Sequence, residues 1–325
     1  MADSKEIKAV LGKLVGQLEG FCVYCDALYL ENRTQSLSKD KTGVENRVDA
    51  DSGVKIRAFD GHQYHEACVQ GWQPQVLSQE VQKLITKIKQ LPPRMGKPLN
   101  VKQDKEQLDK EYSTTPKIDS STINVEEKAA LITRLHDKTM ENGKDFINCR
   151  VSYKEEHEKK VFVSKTKRLS SSWSGCTITI VPFIQTADGQ TRYDFFSKFA
   201  NGFEVKDISE EDLKAFFERA KRVKDAKKIA PGKYHCVLSP NVTGLLAHES
   251  FGHGMESDTI MKGRAKAEEY LGKRIAPAKV NICDDPGVPG THGFVFFDDE
   301  GQLARRVYLV QNGVVTDPIT ESYSA

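Results

Sequence analysis

The residue types best suited to chemistry lie at His248, Glu249 and His253, within the run HESFGHGMESD. Neutral imidazole is a favoured zinc ligand, and a carboxylate beside the first ligand can take a proton from the water that the metal activates. In the better-known H-E-x-x-H zinc helix, the two histidines are four residues apart and share one face. Here they are five apart, which separates them by about 140° on an ideal α-helix.

A zinc site at this run therefore requires a local departure from α-helical geometry. Gly252 and Gly254 flank His253, and glycine tolerates backbone angles that other residues avoid. We expect the helix to widen into a π-bulge, or to end, between Ser250 and Gly254, so that the two imidazoles converge on one zinc ion. The alternative is a hydrogen-bonded pair of core histidines without a metal.

The residues before the motif predict the element that carries it. Ser239 and Pro240 are typical of a helix start, as the N-cap and the first helical residue. The apolar run Leu245, Leu246 and Ala247 then predicts a buried helix that delivers its polar end to a cleft.

Length and charge exclude several classes of protein. The 325 residues allow two or three domains, and 48 basic against 46 acidic side chains leave a formal net charge of +2. This balance provides no general attraction to nucleic acid or to a membrane surface. No run of 18 apolar residues and no signal-peptide core is present in the sequence, so we expect a cytoplasmic protein.

The seven cysteines do not have the pattern of a disulfide framework. Cys22 and Cys25 form a C-x-x-C within CVYCDALYL, an alternating pattern typical of a strand. Residues three apart in a strand point to opposite faces, so we interpret the two as reduced cysteines of a sheet rather than a redox or metal pair.

Apolar periodicity predicts an α+β fold with two similar units, at 1–91 and 124–230, joined by a polar linker at 92–123. Each unit is predicted to begin and end with a helix; Asn124 resembles an N-cap, as does Ser209. The predicted strands are Val23–Leu30, Gly53–Phe59, Gln63–Val69, Phe146–Tyr153, Lys160–Ser164, Cys176–Phe183 and Tyr193–Phe199. Domain 1–230 is followed at 231–325 by the metal-motif helix and an incomplete β-rich domain containing an Asn312-Gly313 hairpin.

Three stretches carry a family resemblance: LSPNVTGLLAHESFGHGMESD, VNICDDPGVPGTHGFVFFDDEG and VYLVQNGVV. Together they resemble the TldD/PmbA metallopeptidases, on the motif-bearing TldD side. The resemblance implies that His248 and His253 are zinc ligands and that Glu249 is the catalytic base. It also implies an α/β N-terminal domain followed by a β-rich C-terminal domain.

The resemblance further implies a third zinc ligand, a cysteine that lies beyond the stretch matching residue 325. We therefore expect a truncated chain that binds zinc weakly and is inactive by itself. Other side chains near the motif have ordinary explanations as strand, turn or supporting residues, and we do not expect them to bind the metal directly: Cys283, His292, Glu256 and Asp258.

The function predicted from these features is zinc-dependent hydrolysis of unfolded or extended peptides. The expected partners are peptide substrates and either a motif-less paralogue, in a hetero-oligomer, or a second copy of the chain. The alternative is a non-catalytic regulatory or structural subunit of a peptidase complex. Binding to nucleic acid is not expected, because no basic face and no interleaving of basic with aromatic residues is visible.

Overall fold

The computed structural model describes residues 3–91, 106–186 and 188–320, and the fold is α+β, as predicted. The described residues form two compact units. The first contains residues 3–91, 106–186, 188–229 and 290–292, and the second contains 230–289 and 293–320. We propose that these units correspond to the predicted domains 1–230 and 231–325.

The first unit contains one sheet and four α-helices. The helices are α1 (Ser4–Leu18), α2 (Pro74–Lys89), α3 (Val125–Asn142) and α4 (Glu210–Arg222). The strands are β1 (Tyr24–Asp40), β2 (Gly43–Phe59), β3 (Tyr64–Gln70), β4 (Leu108–Ser113), β5 (Phe146–Ser164), β6 (Lys167–Gln185), β7 (Thr191–Tyr193) and β8 (Phe196–Ala200).

The pairing of β1 with β5 joins the two predicted helix-strands-helix units into a single sheet. Its strand order is β3-β2-β1-β5-β6-β4, and β7 and β8 also pair with β6. All of these pairs are antiparallel except β4 with β6. The predicted helix-strands-helix units at 1–91 and 124–230 are therefore two parts of one domain.

All four helices cover the same face of this sheet. The cluster under α1 and α2 includes Ala27 and Tyr29 of β1, and the cluster under α3 and α4 includes Leu37 of the same strand. These three residues are odd-numbered positions of one strand, and alternate positions of a strand share a face. The helix starts follow the predicted chemistry, since the side chain of Asn124 accepts from the N–H of Glu127 and that of Ser209 from the N–H of Asp212.

The strands are much longer than predicted. The two predicted runs at Phe146–Tyr153 and Lys160–Ser164 are parts of one strand, β5, because the polar segment KEEHEK between them is also paired with both neighbours. Hydrophobic alternation marks only the buried stretches of a strand. The hydrogen bonds between strands join main-chain groups, so they continue through polar residues as well.

The prediction of a polar linker at 92–123 is wrong in part. Leu108–Ser113 is β4, which pairs in parallel with β6 and buries Leu108. A strand with one buried residue does not show the alternation from which strands are recognised. Residues 92–105 of the predicted linker lie outside the described part of the chain.

The two cysteines of the C-x-x-C are free thiols, as expected, but their predicted arrangement is wrong. Cys22 precedes β1, and its Sγ donates to the carbonyl of Leu18. The Sγ of Cys25 donates to the carbonyl of Val15. Both thiols therefore contact the last turns of α1 instead of pointing to opposite faces of a strand.

The second unit contains short elements around a small apolar cluster. Its helices are α5 (Pro240–Ala247) and α6 (Ser257–Met261), and its strands are β9 (Ile282–Asp284), β10 (Val307–Gln311) and β11 (Val314–Val315). The predicted hairpin is present between β10 and β11, with positive φ at Asn312 (51°) and Gly313 (79°), as a type I′ turn requires. The apolar run Phe294–Phe297 of this unit forms no named strand, and Phe297 makes an isolated antiparallel bridge with Leu303.

Across the described residues, no helix has both the length and the apolar composition needed to cross a bilayer.

The first unit also buries an ion pair between α3 and β5. Lys128 Nζ lies 2.7 Å from Glu155 Oε2, and the two side chains are only 3% and 7% exposed. Burial raises the pKa of Glu155, but hydrogen bonds from His157, Lys128 and the hydroxyl of Tyr153 outweigh burial and lower this pKa to about 2. The carboxylate is therefore ionised inside the protein and depends on its partners.

Replacement of Lys128 by methionine is expected to destabilise the chain by about 3–5 kcal/mol at neutral pH, because it leaves a buried charge without its partner. The native protein keeps Glu155 ionised down to about pH 2, whereas the variant carboxylate takes a proton more readily. The difference in the free energy of unfolding should therefore shrink as the pH falls toward about 4. Denaturant unfolding of both proteins, followed by circular dichroism between neutral pH and about pH 4, measures this difference.

Lys138→Met is the matched control, since Lys138 also lies on α3 and pairs with Glu210, which is 83% exposed. An exposed pair contributes at most about 1 kcal/mol, so this variant should stay close to the parent at every pH. Equal losses in the free energy of unfolding of the two variants would show that the buried pair stabilises the chain no more than the exposed pair does.

Candidate metal centre

The helix that carries the motif changes its hydrogen-bonding pattern at His248. The α-helical turns of α5 end at Ala247, and His248–Gly252 form a π-helical turn. The N–H of His253 donates to the carbonyl of His248, an i→i+5 bond that closes this turn. The expected widening is therefore present, and it begins at His248 rather than at Ser250.

The π turn brings the two histidine rings together. Residues five apart are one turn apart when the backbone bonds run i→i+5, so His248 and His253 lie on one side of the turn. Their ring centroids are 4.4 Å apart and the ring planes cross at 67°. One ligand atom each from His248, Glu249 and His253 lies within 4.8 Å of the other two.

The predicted role of the two glycines is wrong. Gly252 has right-handed helical angles, φ −54° and ψ −57°, and neither Gly252 nor Gly254 is among the glycines with positive φ. A Cβ atom on Gly252 would meet nothing closer than 3.7 Å, and one on Gly254 would meet nothing within 4 Å. A π turn uses ordinary right-handed angles, so the widening does not require glycine.

The prediction of a buried helix before the motif is also wrong for the described chain. Leu245 is 59% and Leu246 is 53% exposed, and α5 contributes no buried residue. His248, Glu249 and His253 are exposed as well. Apolar composition showed that α5 is suited to burial, but burial needs a packing partner, and α5 lies without one among the described residues.

The other end of the π turn is anchored in the second unit. Phe251 packs against the apolar cluster that contains the buried residues Met255, Leu309 and Val315. Glu256 then forms a parallel bridge with Ile319, with bonds from Ser257 N to Ile319 O (2.9 Å) and from Ile319 N to Met255 O (2.7 Å). No local sequence signal marks this attachment, because its two segments lie far apart along the chain.

The four nearby side chains that were not expected to bind a metal lie outside the group of three donors. Cys283 is exposed on β9, and Asp258 pairs with Lys262 at 2.7 Å. His292 belongs to the first unit, where its Nε2 lies 3.2 Å from Glu156. Glu256 instead contacts a member of the group, with Oε1 2.9 Å from Nδ1 of His253.

The donor set suits zinc. Imidazole nitrogens and a carboxylate oxygen are the donor types of catalytic zinc sites, and here the three donor atoms lie within 4.8 Å of one another. Because all three side chains are exposed, an ion and a water molecule can reach them from solvent.

Comparisons with known proteins find relatives named as metalloproteases. Residues 231–325 match the family model described as the PmbA/TldA metallopeptidase C-terminal domain. A metalloprotease of Methanocaldococcus jannaschii is 27% identical over 251 residues, which cover 74% of this chain and 54% of that protein. A zinc metalloprotease TldD homolog of Saccharolobus solfataricus is 33% identical over 93 residues, covering 28% of this chain and 20% of that protein.

The chain thus spans about half the length of the M. jannaschii relative. Two solved structures share the fold: a proposed modulator of DNA gyrase from Bacteroides thetaiotaomicron (TM-score 0.80, 14% identity, 100% of this chain and 74% of that one) and TldE from Thermococcus kodakarensis (TM-score 0.69, 15% identity, 95% and 69%). Likeness at this identity shows the fold alone. The match of residues 231–325 to the family model and the likeness to relatives named as metalloproteases together support a similarity of this chain to the TldD/PmbA family.

Proposed function

We propose that this protein is a zinc-dependent peptidase, with His248 and His253 as zinc ligands and Glu249 as the general base. The observation that supports this most directly is the π turn, which places the three donor atoms within 4.8 Å of one another. Relatives named as metalloproteases support the reaction class, and a relative named as a zinc metalloprotease supports the metal.

The roles of the residues follow from their chemistry. A zinc ion at this position would supply Lewis acidity, which polarises a peptide carbonyl and makes a water molecule more acidic. His248 and His253 hold the metal through neutral ring nitrogens. Glu249 takes a proton from the attacking water and returns it to the leaving amine, a two-way transfer that a carboxylate within reach of both groups can perform.

Unfolded or extended peptides are the proposed substrates. The three donors are exposed, so a backbone can reach them without first entering an enclosed cavity. An extended segment also presents its carbonyl groups without the hydrogen bonds that occupy them in folded structure, and strands of an enzyme can bind such segments through backbone bonds.

The proposed partner is a motif-less member of the same family. TldE of T. kodakarensis shares the fold, and the exposed leucines of α5 form an apolar surface next to the motif. The alternative, that this chain is itself a non-catalytic subunit, predicts that the purified chain carries no zinc.

Zinc binding separates these alternatives. The chain is expected to bind one zinc ion, His248→Ala should abolish binding, and Glu249→Gln should retain it, because glutamine keeps the volume of the side chain and removes only the base. Zinc content after gel filtration, with competition by a chromophoric chelator, measures all three proteins.

Lys262→Gln is a suitable control, since Lys262 lies near the motif in sequence and contacts Asp258 rather than the three donors. Loss of zinc in Glu249→Gln would make Glu249 a ligand instead of a base. Absence of zinc from the parent chain under all conditions would contradict the proposed function.

Peptide cleavage tests the enzymatic part. A catalytic zinc site typically uses three protein ligands and a water molecule, so we expect the isolated 325-residue chain, with two imidazoles and Glu249 reserved as the base, to be inactive. Combined with a motif-less family member from the same source and supplied with zinc, it should cleave an unfolded polypeptide. Glu249→Gln should reduce that cleavage at least about a hundredfold.

The readout is the release of peptides, followed by mass spectrometry, with a chelator-treated sample beside each reaction. Cleavage by the isolated chain that depends on Glu249 would show that the chain holds a complete site. Cleavage in the mixture that survives Glu249→Gln would contradict the role of this residue.

A further inference from the structure

We propose that Glu256 is a positioning residue for His253: its carboxylate holds Nδ1 of the ring, so that Nε2 is the nitrogen offered to the metal. The inference rests on the proposed zinc site and adds a residue to it. Its starting point is the contact of 2.9 Å between His253 Nδ1 and Glu256 Oε1.

The chemistry of the two groups determines which nitrogen is free. An ionised carboxylate can only accept a hydrogen bond, so the proton of this bond is carried by Nδ1 of His253. A neutral imidazole with its proton on Nδ1 has its lone pair on Nε2. Glu256 therefore selects the tautomer that leaves Nε2 able to bind a cation, and it limits rotation of the ring.

A half-exposed contact positions a ring only if the carboxylate is itself held in place, since exposed flexible pairs contribute little. His253 and Glu256 are 53% and 42% exposed, but the backbone around Glu256 is fixed. Met255 is fully buried, and both flanking residues bond to Ile319. The carbonyl of Glu256 also accepts from Thr259 and Ile260, both at 3.1 Å, at the start of α6.

The neighbouring acid has a different partner, which provides a matched control. Asp258 lies two residues further along the chain, and its Oδ2 is 2.7 Å from Nζ of Lys262. Substitution of either acid by its amide removes one negative charge from the same short segment. Only the substitution of Glu256 alters the support of a proposed ligand.

The test measures the affinity of the complete 325-residue chain for zinc ions, by competition with a chromophoric chelator. Glu256→Ala should weaken binding by about tenfold or more, the usual effect of removing the group that orients a histidine ligand. Glu256→Gln should lose less affinity for zinc than Glu256→Ala, because its amide oxygen can still accept a hydrogen bond from Nδ1 of His253. Asp258→Asn should stay within about twofold of the parent chain.

A second readout does not depend on the metal. Long-range ¹H–¹⁵N spectra of the zinc-free chain, recorded at alkaline pH where imidazole is neutral, report which nitrogen of His253 carries the proton. The parent chain should show the Nδ1–H form, and Glu256→Ala should show a mixture with the Nε2–H form. Thermal unfolding of each variant identifies any that fail to fold, and for such a variant the amide substitution provides the comparison.

The outcomes separate this inference from the function on which it rests. If the parent chain binds zinc and His248→Ala does not, but Glu256→Ala binds as the parent does with an unchanged tautomer, the positioning role is overturned and the zinc site stands. If Asp258→Asn weakens zinc binding as much as Glu256→Ala does, the effect is one of net charge and the inference is again overturned. If the parent chain binds no zinc, both proposals fail.

Discussion

The candidate site depends on one backbone hydrogen bond, from the N–H of His253 to the carbonyl of His248. A spacing of five residues separates two side chains by more than a third of a turn on an α-helix, whereas an i→i+5 bond returns the chain to the same side. The ring distance of 4.4 Å and the proximity of Glu249 both follow from this single change of pattern. The change needs no unusual backbone angle, and neither glycine of the motif supplies one.

The π turn is held from its C-terminal side. Phe251 and Met255 pack into the cluster with Leu309 and Val315, and the bridge from Glu256 to Ile319 ties the next residues to the end of the described chain. On the N-terminal side, α5 leads into the turn with Leu245 and Leu246 exposed. The donors are therefore fixed at one end of the turn, while the other end presents an apolar surface to solvent.

The first unit is organised by a different constraint, the continuous pairing of β1 with β5 from Asp26–Ser164 to Lys39–Val151. This pairing places two helix-strands-helix units in one sheet and on one face of it. It also brings Lys128 of α3 onto Glu155 of β5, where a buried charge is tolerated because hydrogen bonds satisfy it from several sides. The helices pack on one face of this sheet, and Leu28, Phe162 and Leu169, which pair with one another across the strands, are buried on the other.

The features that sequence reasoning predicted correctly are those with local causes. Asn124 and Ser209 begin helices because their side chains accept from the nearby N–H groups, and Asn312-Gly313 forms a hairpin because both residues tolerate positive φ. The i+5 spacing itself required a widened turn. Strand ends were missed because pairing through KEEHEK, or in β4, depends on a neighbour and not on alternation.

The amino-acid sequence by itself determined which side chains could hold a metal and what backbone change would bring them together, because both follow from residue type and spacing within six residues. Only the tertiary structure decided where that change occurs, what anchors it and which acid supports which partner. Asp258 and Glu256 are both acids two residues apart, yet one contacts Lys262 and the other His253. Their assignment depends on the bridge to Ile319, more than sixty positions away, and a contact of that range leaves no trace in the local sequence.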